Sequence, residues 1–344
     1  MKSSTWGYLL PFIVGTVAWV LGHQVPVIGA PVLGIVLGLF IGQFAGQRPE
    51  WKRGVQFNAK RVLQASIVLL GAGMSLSQIA SIGGAGLPVM IGTIVVAVAA
   101  GIVLTRALGV DRETGILVTY GTTICGASAI ATMSQVIKAR ATAIAVSVSV
   151  IVLYNVLAAL VFPALGMGFG FTPTTFGLWA GTAVNDTSSV VAAATSFDAQ
   201  LIAAGVVVGG MTASAYAVVV KLTRTLMLVP LALFQQWFGN RSLPEAERAH
   251  TVWWKMVPGF LVLFVAAAAL RSLGLIPDVV VPWLTFAAHF GTTVAMTAVG
   301  MSSSLRAIRA AGWRPLALGG ILWVLVATTS MVLQAATGQL AFLP

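Results

Sequence analysis

The chain has 344 residues, of which 58% are hydrophobic and 8% are charged, and its formal net charge is +11. Soluble domains carry about 25% charged residues, so this composition excludes a soluble globular protein and predicts a single membrane domain. The basic residues stand in short clusters between apolar runs, which argues against nucleic-acid binding. A single cysteine and three widely separated histidines exclude an internal disulfide and a compact metal motif.

Eleven apolar runs follow one another along the chain, and most have the length of about 20 residues that a helix needs to cross a bilayer. They lie near 5–22, 27–46, 62–80, 86–105, 115–137, 141–166, 174–197, 199–220, 256–272, 278–303 and 315–338. The first run has no small-x-small cleavage site after it, so we interpret it as a transmembrane helix and not as a signal peptide. A further run, 225–238, is too short to span and extends the preceding helix or lies at the interface.

The charge of the connections predicts the topology. The connections 47–61, 221–255 and 304–314 are rich in Lys and Arg, so we expect them in the cytoplasm. The connections 23–26, 81–85 and 272–278 carry almost no charge, so we expect them outside. The N-terminus is then cytoplasmic and the C-terminus external.

Two runs leave this topology ambiguous. If 115–137 and 174–197 both cross the membrane, Lys138 and Arg140 lie outside, against the positive-inside rule. If both are re-entrant hairpins, these two residues lie inside. The sequence is therefore compatible with eleven crossings, or with nine crossings and two hairpins.

Three stretches rich in glycine and hydroxyl residues resemble one another. They read YGTTICGASAIAT at 120–132, AGTAVNDTSSVVA at 180–192 and FGTTVAMTAVGMS at 290–302. Such segments can unwind inside a membrane and expose half-helix N-termini that attract anions, or carbonyls that hold cations; the alternative is close helix packing. The first and third lie half a chain apart, the spacing of inverted five-helix repeats, here about 27–166 and 174–338.

Several polar residues within these runs are candidates for a transport site. Asp186 is the only acid that we place deep in an apolar run, where insertion costs about 2.5–3.5 kcal/mol. It is a coupling site for a proton or cation, an anchor that orients neighbouring donors, or a structural carboxylate neutralised by a partner such as Lys221 or Arg224. Those two residues are snorkelling ends or the wall of an anion path, and His289 is a proton relay or a satisfied histidine. The candidate substrate-binding residues are Gly121, Thr122, Thr123, Cys125, Gly126, Ser128, Asn185, Thr187, Ser188 and Ser189, with Thr292 and Thr293 as secondary candidates.

Four motifs occur in a characteristic order: CGASAIAT at 125–132, GLWAGTAVNDTSSVVAAA at 177–194, KLTR at 221–224 and GMSSSL at 300–305. Over nearly the whole chain this combination resembles the YeiH family of predicted sulfate exporters. The resemblance implies the cation:proton antiporter and anion transporter superfamily, with an NhaA-like or bile-acid-symporter-like all-α fold of about nine to eleven transmembrane segments. It also implies inverted repeats, discontinuous helices near the midplane and elevator-like movement. Many relatives carry His where this chain has Asn185; if that position relays protons in them, this chain cannot do so there.

These observations favour a secondary transporter that exports a small anion, sulfate or a sulfonate-like species, by alternating access in a bacterial-type inner membrane. The alternatives are a cation:proton antiporter that uses Asp186, and an anion channel. An intramembrane enzyme built on Ser128, Cys125 and His289 has no motif behind it, so we expect no enzyme. We expect no metal and no cofactor other than a coupling Na⁺ or H⁺. The expected partners are the lipid bilayer, the small anion and a second copy in a homodimer.

Overall fold

The computed structural model describes residues 2–24, 29–45, 48–206, 210–240, 257–303 and 305–343, which form an all-α membrane protein. The helices are α1 Lys2–Gln24, α2 Ala30–Ala45, α3 Pro49–Phe57, α4 Leu63–Gly71, α5 Leu76–Ala107, α6 Arg112–Thr123, α7 Ala127–Val136, α8 Ala141–Gly168, α9 Pro173–Ala183, α10 Thr187–Ala203, α11 Ala213–Leu226, α12 Leu228–Asn240, α13 Gly259–Ser272, α14 Val281–Ser302, α15 Leu305–Ala310 and α16 Trp313–Ala336. A π-helical turn, Asn58–Val62, joins α3 to α4. Within the described ranges, six helical segments are long and apolar enough to cross a membrane.

The helices pack as two bundles. Bundle A contains α1 to α4, α13 and α14, and bundle B contains α5 to α12 and α16. In bundle A, α2 and α14 lie unusually close because Gly34, Gly38 and Gly42 share one face of α2. A methyl group at Gly38 would lie 2.2 Å from the carbonyl oxygen of Thr297, so only glycine allows this approach.

Charge separates the two ends of the molecule. One end, here called the basic end, carries the exposed cationic residues Arg48, Lys52, Arg53, Arg106, Arg112, Lys138, Arg140, Arg309 and Arg314. Hydrogen bonds connect the loops at the basic end; for example, Arg314 donates a hydrogen bond to the carbonyl oxygen of Gly109. At the opposite end, here called the distal end, Arg271 is paired with Asp278.

Some predicted segment boundaries are wrong. Residues 81–85 are not a connection but part of the 32-residue helix α5, which begins with a capping box at Ser75 and Gln78. Much of the predicted connection 47–61 is helical. The run 199–220 is not one helix, because α10 ends at Ala203 and α11 begins at Ala213. The short run 225–238 extends the preceding helix as α12, and the basic residues of 241–255 lie outside the described residues.

The predicted interruption at 290–302 is also wrong, because α14 is continuous from Val281 to Ser302. The hydroxyls of Thr292 and Thr293 donate to the carbonyls of Ala288 and His289, one turn earlier in the same helix. Internal bonds of this kind let threonine reside in a membrane helix without unwinding it. In this stretch the small residues serve close packing against α2 and α4.

Candidate functional site

The segment 112–136 is a hairpin whose two arms are α6 and α7. Arg140, which follows α7, binds two acidic residues at the start of α6: its guanidinium lies 2.8 Å from Asp111, and its backbone N–H donates to Glu113 at 2.9 Å. A straight run of 25 helical residues would separate these groups by more than about 30 Å. The segment therefore turns back on itself, and we call it hairpin 1.

The segment 173–203 is a second hairpin, formed by α9 and α10. Phe176 in the first turn of α9 stacks on Phe197 late in α10, with ring centroids 3.9 Å apart. Gly166, near the end of α8, lies against both rings. Because α8 runs as one helix from the base of hairpin 1 to the base of this segment, the second hairpin, called hairpin 2, enters from the distal end.

Each hairpin tip has a local cause. At the tip of hairpin 1, Gly126 adopts φ +63° and ψ −128°, a conformation open to glycine alone. Its N–H donates to the carbonyl of Gly121 at 2.9 Å and closes the turn. At the tip of hairpin 2, Val184 is extended, and the N–H of Asp186 donates to the side-chain oxygen of Asn155 on α8 at 3.0 Å. The tips therefore meet at the middle of α8.

Lys221 on α11 ties the two tips together. Its side chain is completely buried, and its ammonium donates to the carbonyls of Ile124 at 2.7 Å and Val184 at 2.8 Å. Those carbonyls end α6 and α9, where backbone acceptors lack helical partners and the helix dipole is negative. The snorkelling interpretation of Lys221 is therefore wrong, because its ammonium group hydrogen-bonds to the carbonyls at the two helix breaks and does not reach the membrane surface.

Arg224 follows one turn later on the same helix. It is also completely buried, and within the described part of the chain none of its three guanidinium nitrogens has a hydrogen-bond partner. Cys125, at the tip of hairpin 1, lies close enough to Arg224, Lys221 and Asp186 for their charges to act on its thiol. A buried unpaired guanidinium is costly, so the arrangement calls for an anion at Arg224, and its snorkelling interpretation is wrong too.

Further unsatisfied polar groups belong to the same tips. The hydroxyls of Thr122 and Thr123 and both side-chain polar atoms of Asn185 are buried and lack partners among the described residues. The carboxylate of Asp186 instead accepts a hydrogen bond from the hydroxyl of Ser188. Hydroxyl, amide and guanidinium donors thus collect where the two tips meet, beside the carboxylate of Asp186.

The other predicted site residues divide into two groups. Most of them lie buried at the two tips: Gly121, Cys125, Gly126, Thr187, Ser188 and Ser189. Ser128 differs, because it is exposed on the first turn of α7. His289, Thr292 and Thr293 belong to α14 in bundle A and not to the tips. No group of three or more His, Cys, Asp or Glu residues in the described ranges is placed to hold a metal ion.

Sequence reasoning missed two buried polar residues. Asn155 looks like an isolated polar residue in α8 but accepts the N–H of Asp186 at the tip of hairpin 2. Asp198 is 6% exposed and accepts the N–H groups of Ala213 and Ser214 at 2.8 and 2.9 Å. The prediction that Asp186 is the only deep acid is therefore wrong. Asp198 lies between the two apolar runs 174–197 and 199–220. A charged residue in that position is typical of an exposed loop, so nothing in the sequence indicates that it is buried.

Comparison with known proteins places the chain among bacterial membrane proteins. The family model described as conserved hypothetical protein 698 matches residues 6–319. The chain is similar to a UPF0324 membrane protein of Streptococcus pyogenes serotype M18, with 38% identity over 96% of this chain and 97% of the relative. It is also similar to UPF0324 membrane proteins of Streptococcus agalactiae serotype V, with 36% identity over 96% and 97%, and of Fusobacterium nucleatum, with 33% identity over 98% and 99%.

Proposed function

The chain belongs to the conserved hypothetical protein 698 family of multi-pass bacterial membrane proteins. We propose that this member of the family is a secondary transporter of a small anion. The observation that carries the proposal is the buried guanidinium of Arg224, which has no partner among the described residues. A guanidinium offers a planar fork of donors that matches the oxygens of an oxyanion. The hydroxyls of Thr122 and Thr123 and the amide of Asn185 add neutral donors at the same tips.

The local charge favours an anion over a cation. Among the described residues, the tips bring together Lys221, Arg224 and a single carboxylate, Asp186. Lys221 is already engaged by two carbonyls, so the charge of Arg224 remains for a ligand. A cation:proton antiporter that uses Asp186 would have to bring its cation next to two buried positive residues, which makes that alternative weaker. In our proposal Asp186 instead orients the donors of hairpin 2 through Ser188.

The two-bundle architecture suits alternating access. Both hairpins belong to bundle B, and α10 of hairpin 2 packs against α2 and α14 of bundle A. Sliding bundle B along this interface would carry the tips from one side to the other as a unit, which is an elevator movement. A channel would require a continuous polar path, whereas the tip donors are buried.

The positive-inside rule gives the proposed orientation. The basic end carries the exposed Lys and Arg residues, so we place it in the cytoplasm. The N-terminal helix begins at this end, and the chain then makes nine crossings with two re-entrant hairpins. Export of sulfate or a sulfonate, which the YeiH resemblance implies, requires the anion to reach the tips from the basic end, where positive charge concentrates it.

Counterflow in proteoliposomes tests this function. Vesicles loaded with unlabelled sulfate, methanesulfonate or isethionate are diluted into a trace of the labelled compound, and uptake is compared with protein-free vesicles and with vesicles holding Arg224→Met. We expect uptake of at least one oxyanion by the unmodified protein and none by the variant. Absence of counterflow and of any anion-dependent thermal stabilisation across this set would contradict the proposal, and a response to Na⁺ alone would favour the antiporter.

A further inference from the structure

A cavity lies at the distal end, between the two bundles, and its largely apolar lining includes a few polar side chains. Its volume is about 400 Å³, enough for roughly a dozen waters at about 30 Å³ each. The walls come from α1, α2 and α14 of bundle A and from α10 of bundle B, and the polar and aromatic lining comprises Trp19, His23, Thr195, Asp198 and His289. We call it the distal cavity. It is separate from the tip residues described above.

His289 is the bundle A residue of interest in this cavity. Its Nε2 atom is buried and has no hydrogen-bond partner among the described residues. The hydroxyl of Thr195, on the opposite wall, is also buried and also has no hydrogen-bond partner among the described residues. Unsatisfied polar atoms are expensive inside a membrane domain, so a cavity lined by them is suited to water and to a mobile proton.

Asp198 is the bundle B residue that lines the same cavity. Its two carboxylate oxygens cap the first N–H groups of α11, at Ala213 and Ser214. The same helix carries Lys221 and Arg224 to the hairpin tips. A change in the electrostatic environment of Asp198 therefore acts on the helix that holds the proposed anion site.

Few other charged groups face His289. Of the ionisable residues of α1, only His23 lines the cavity; its side chain is exposed, and its Nδ1 is hydrogen-bonded to the carbonyl of Trp19. The described parts of α2 and α4 contain no ionisable residue. Lys60 and Arg61, in the π-helical turn, have exposed side chains, and the cations of α3 belong to the basic end. From α10, Asp198 is the ionisable residue of the cavity.

We propose that the distal cavity is a proton-binding site that couples anion export to proton entry, with His289 as the proton acceptor. This inference rests on the proposed anion transport and names its co-ion. A protonated His289 on bundle A attracts the carboxylate of Asp198 on bundle B across the interface along which the bundles slide. Release of the proton toward the cytoplasm removes this attraction, so the proton controls the docking of one bundle on the other.

Proton movement in sulfate-loaded vesicles tests the proposal. Vesicles that contain the protein, sulfate and the pH dye pyranine are diluted into sulfate-free buffer, with the voltage clamped by K⁺ and valinomycin. We expect the lumen to acidify as sulfate leaves. His289→Gln should reduce this acidification at least about tenfold, whereas its sulfate counterflow should persist because counterflow needs no net proton movement. Asp198→Asn should reduce the acidification as well. The matched control, Asp278→Asn, changes an exposed acidic residue of the distal end that does not line the cavity, and it should acidify within about twofold of the unmodified protein.

The outcomes separate this inference from the function on which it rests. Counterflow without acidification in the unmodified protein, or full acidification by His289→Gln, overturns proton coupling at this cavity and leaves anion transport standing. Failure of counterflow in the unmodified protein with sulfate, methanesulfonate and isethionate overturns both. Sulfate-dependent thermal stabilisation of His289→Gln shows whether that variant is folded; if it is not, Asp198→Asn decides the result.

Discussion

Gly126 lies directly against Asp186, and this contact joins the tips of the two hairpins. A methyl group on Gly126 would lie 3.1 Å from the Cβ atom of Asp186 and 3.4 Å from its Cα atom. The same glycine has φ +63°. Backbone conformation and space therefore both require glycine at this position.

Replacement of Gly126 by alanine should destabilise the protein and abolish transport. A non-glycine residue in such a conformation costs about 1–3 kcal/mol, and the added methyl group pushes the tips apart. Thermal unfolding in detergent and anion counterflow measure the two effects. The control is Gly84→Ala, since Gly84 lies in α5 with nothing within 4 Å, and alanine there should be neutral or stabilising. Equal unfolding temperatures for the two variants would contradict the role of Gly126.

Arg224→Met should weaken anion binding without lowering stability. Loss of charge-assisted hydrogen bonds worth about 1.5–3 kcal/mol corresponds to about 10- to 100-fold in affinity. In anion-free buffer the variant should unfold at the same temperature as the unmodified protein or higher, because it no longer buries an unpaired charge. Anion-dependent thermal shifts measure both effects. Arg309→Met, which removes an exposed charge at the basic end, is the control; equal loss in both variants would indicate a general charge effect.

Lys221→Met should act in the opposite way, by lowering stability. It leaves the carbonyls of Ile124 and Val184 without their donor, and two bonds to a charged group are worth about 3–6 kcal/mol together. The unfolding temperature should fall even without anion, and Lys221→Arg should recover part of the loss because it keeps a buried positive donor. A Lys221→Met protein as stable as the unmodified one would show that the two carbonyls find other partners.

Cysteine labelling can test the re-entrant geometry of hairpin 1. Arg112→Cys and Lys138→Cys lie at the two ends of the hairpin and should react with a membrane-impermeant maleimide from the same side, the cytoplasm. The native Cys125 is buried, so its background labelling should be low. Val279→Cys, at an exposed position of the distal end, should react from outside and serves as the opposite control. Labelling of positions 112 and 138 from different sides would mean that the segment crosses.

The ion pairs at the base of hairpin 1 predict a pH dependence. The pKa of Glu113 lies below its usual range because the backbone N–H and guanidinium of Arg140 donate hydrogen bonds to its carboxylate. A lowered pKa in the folded state contributes stability above the unfolded pKa of about 4.3, and this stability is lost as the pH falls through the folded pKa. Arg140→Gln should therefore lower the unfolding temperature at pH 7 and have a smaller effect near pH 4. A constant difference across this range would exclude the carboxylate as the cause.

The sequence by itself determined the membrane class and most of the helices. Low charge and repeated apolar runs are local properties, and they locate α1, α2, α8, α13, α14 and α16 to within a few residues. The motifs at 120–132 and 180–192 likewise contain the two helix breaks, because Gly126 and the polar Asn185–Asp186 pair favour an interruption locally. The similar motif at 290–302 does not break, because its threonines bond to their own helix.

Tertiary structure alone decided how these parts combine. Lys221 has the same local sequence whether it snorkels or is buried. It links the two hairpin tips only because α6 and α9 both end beside it, where its ammonium reaches the carbonyls of both helix ends. The two hairpins are likewise defined by the contacts of Arg140 with Glu113 and of Phe197 with Phe176, which bring distant residues together. Hydropathy records how apolar a segment is, whereas the direction in which it turns and the partner of a buried charge depend on packing against other helices.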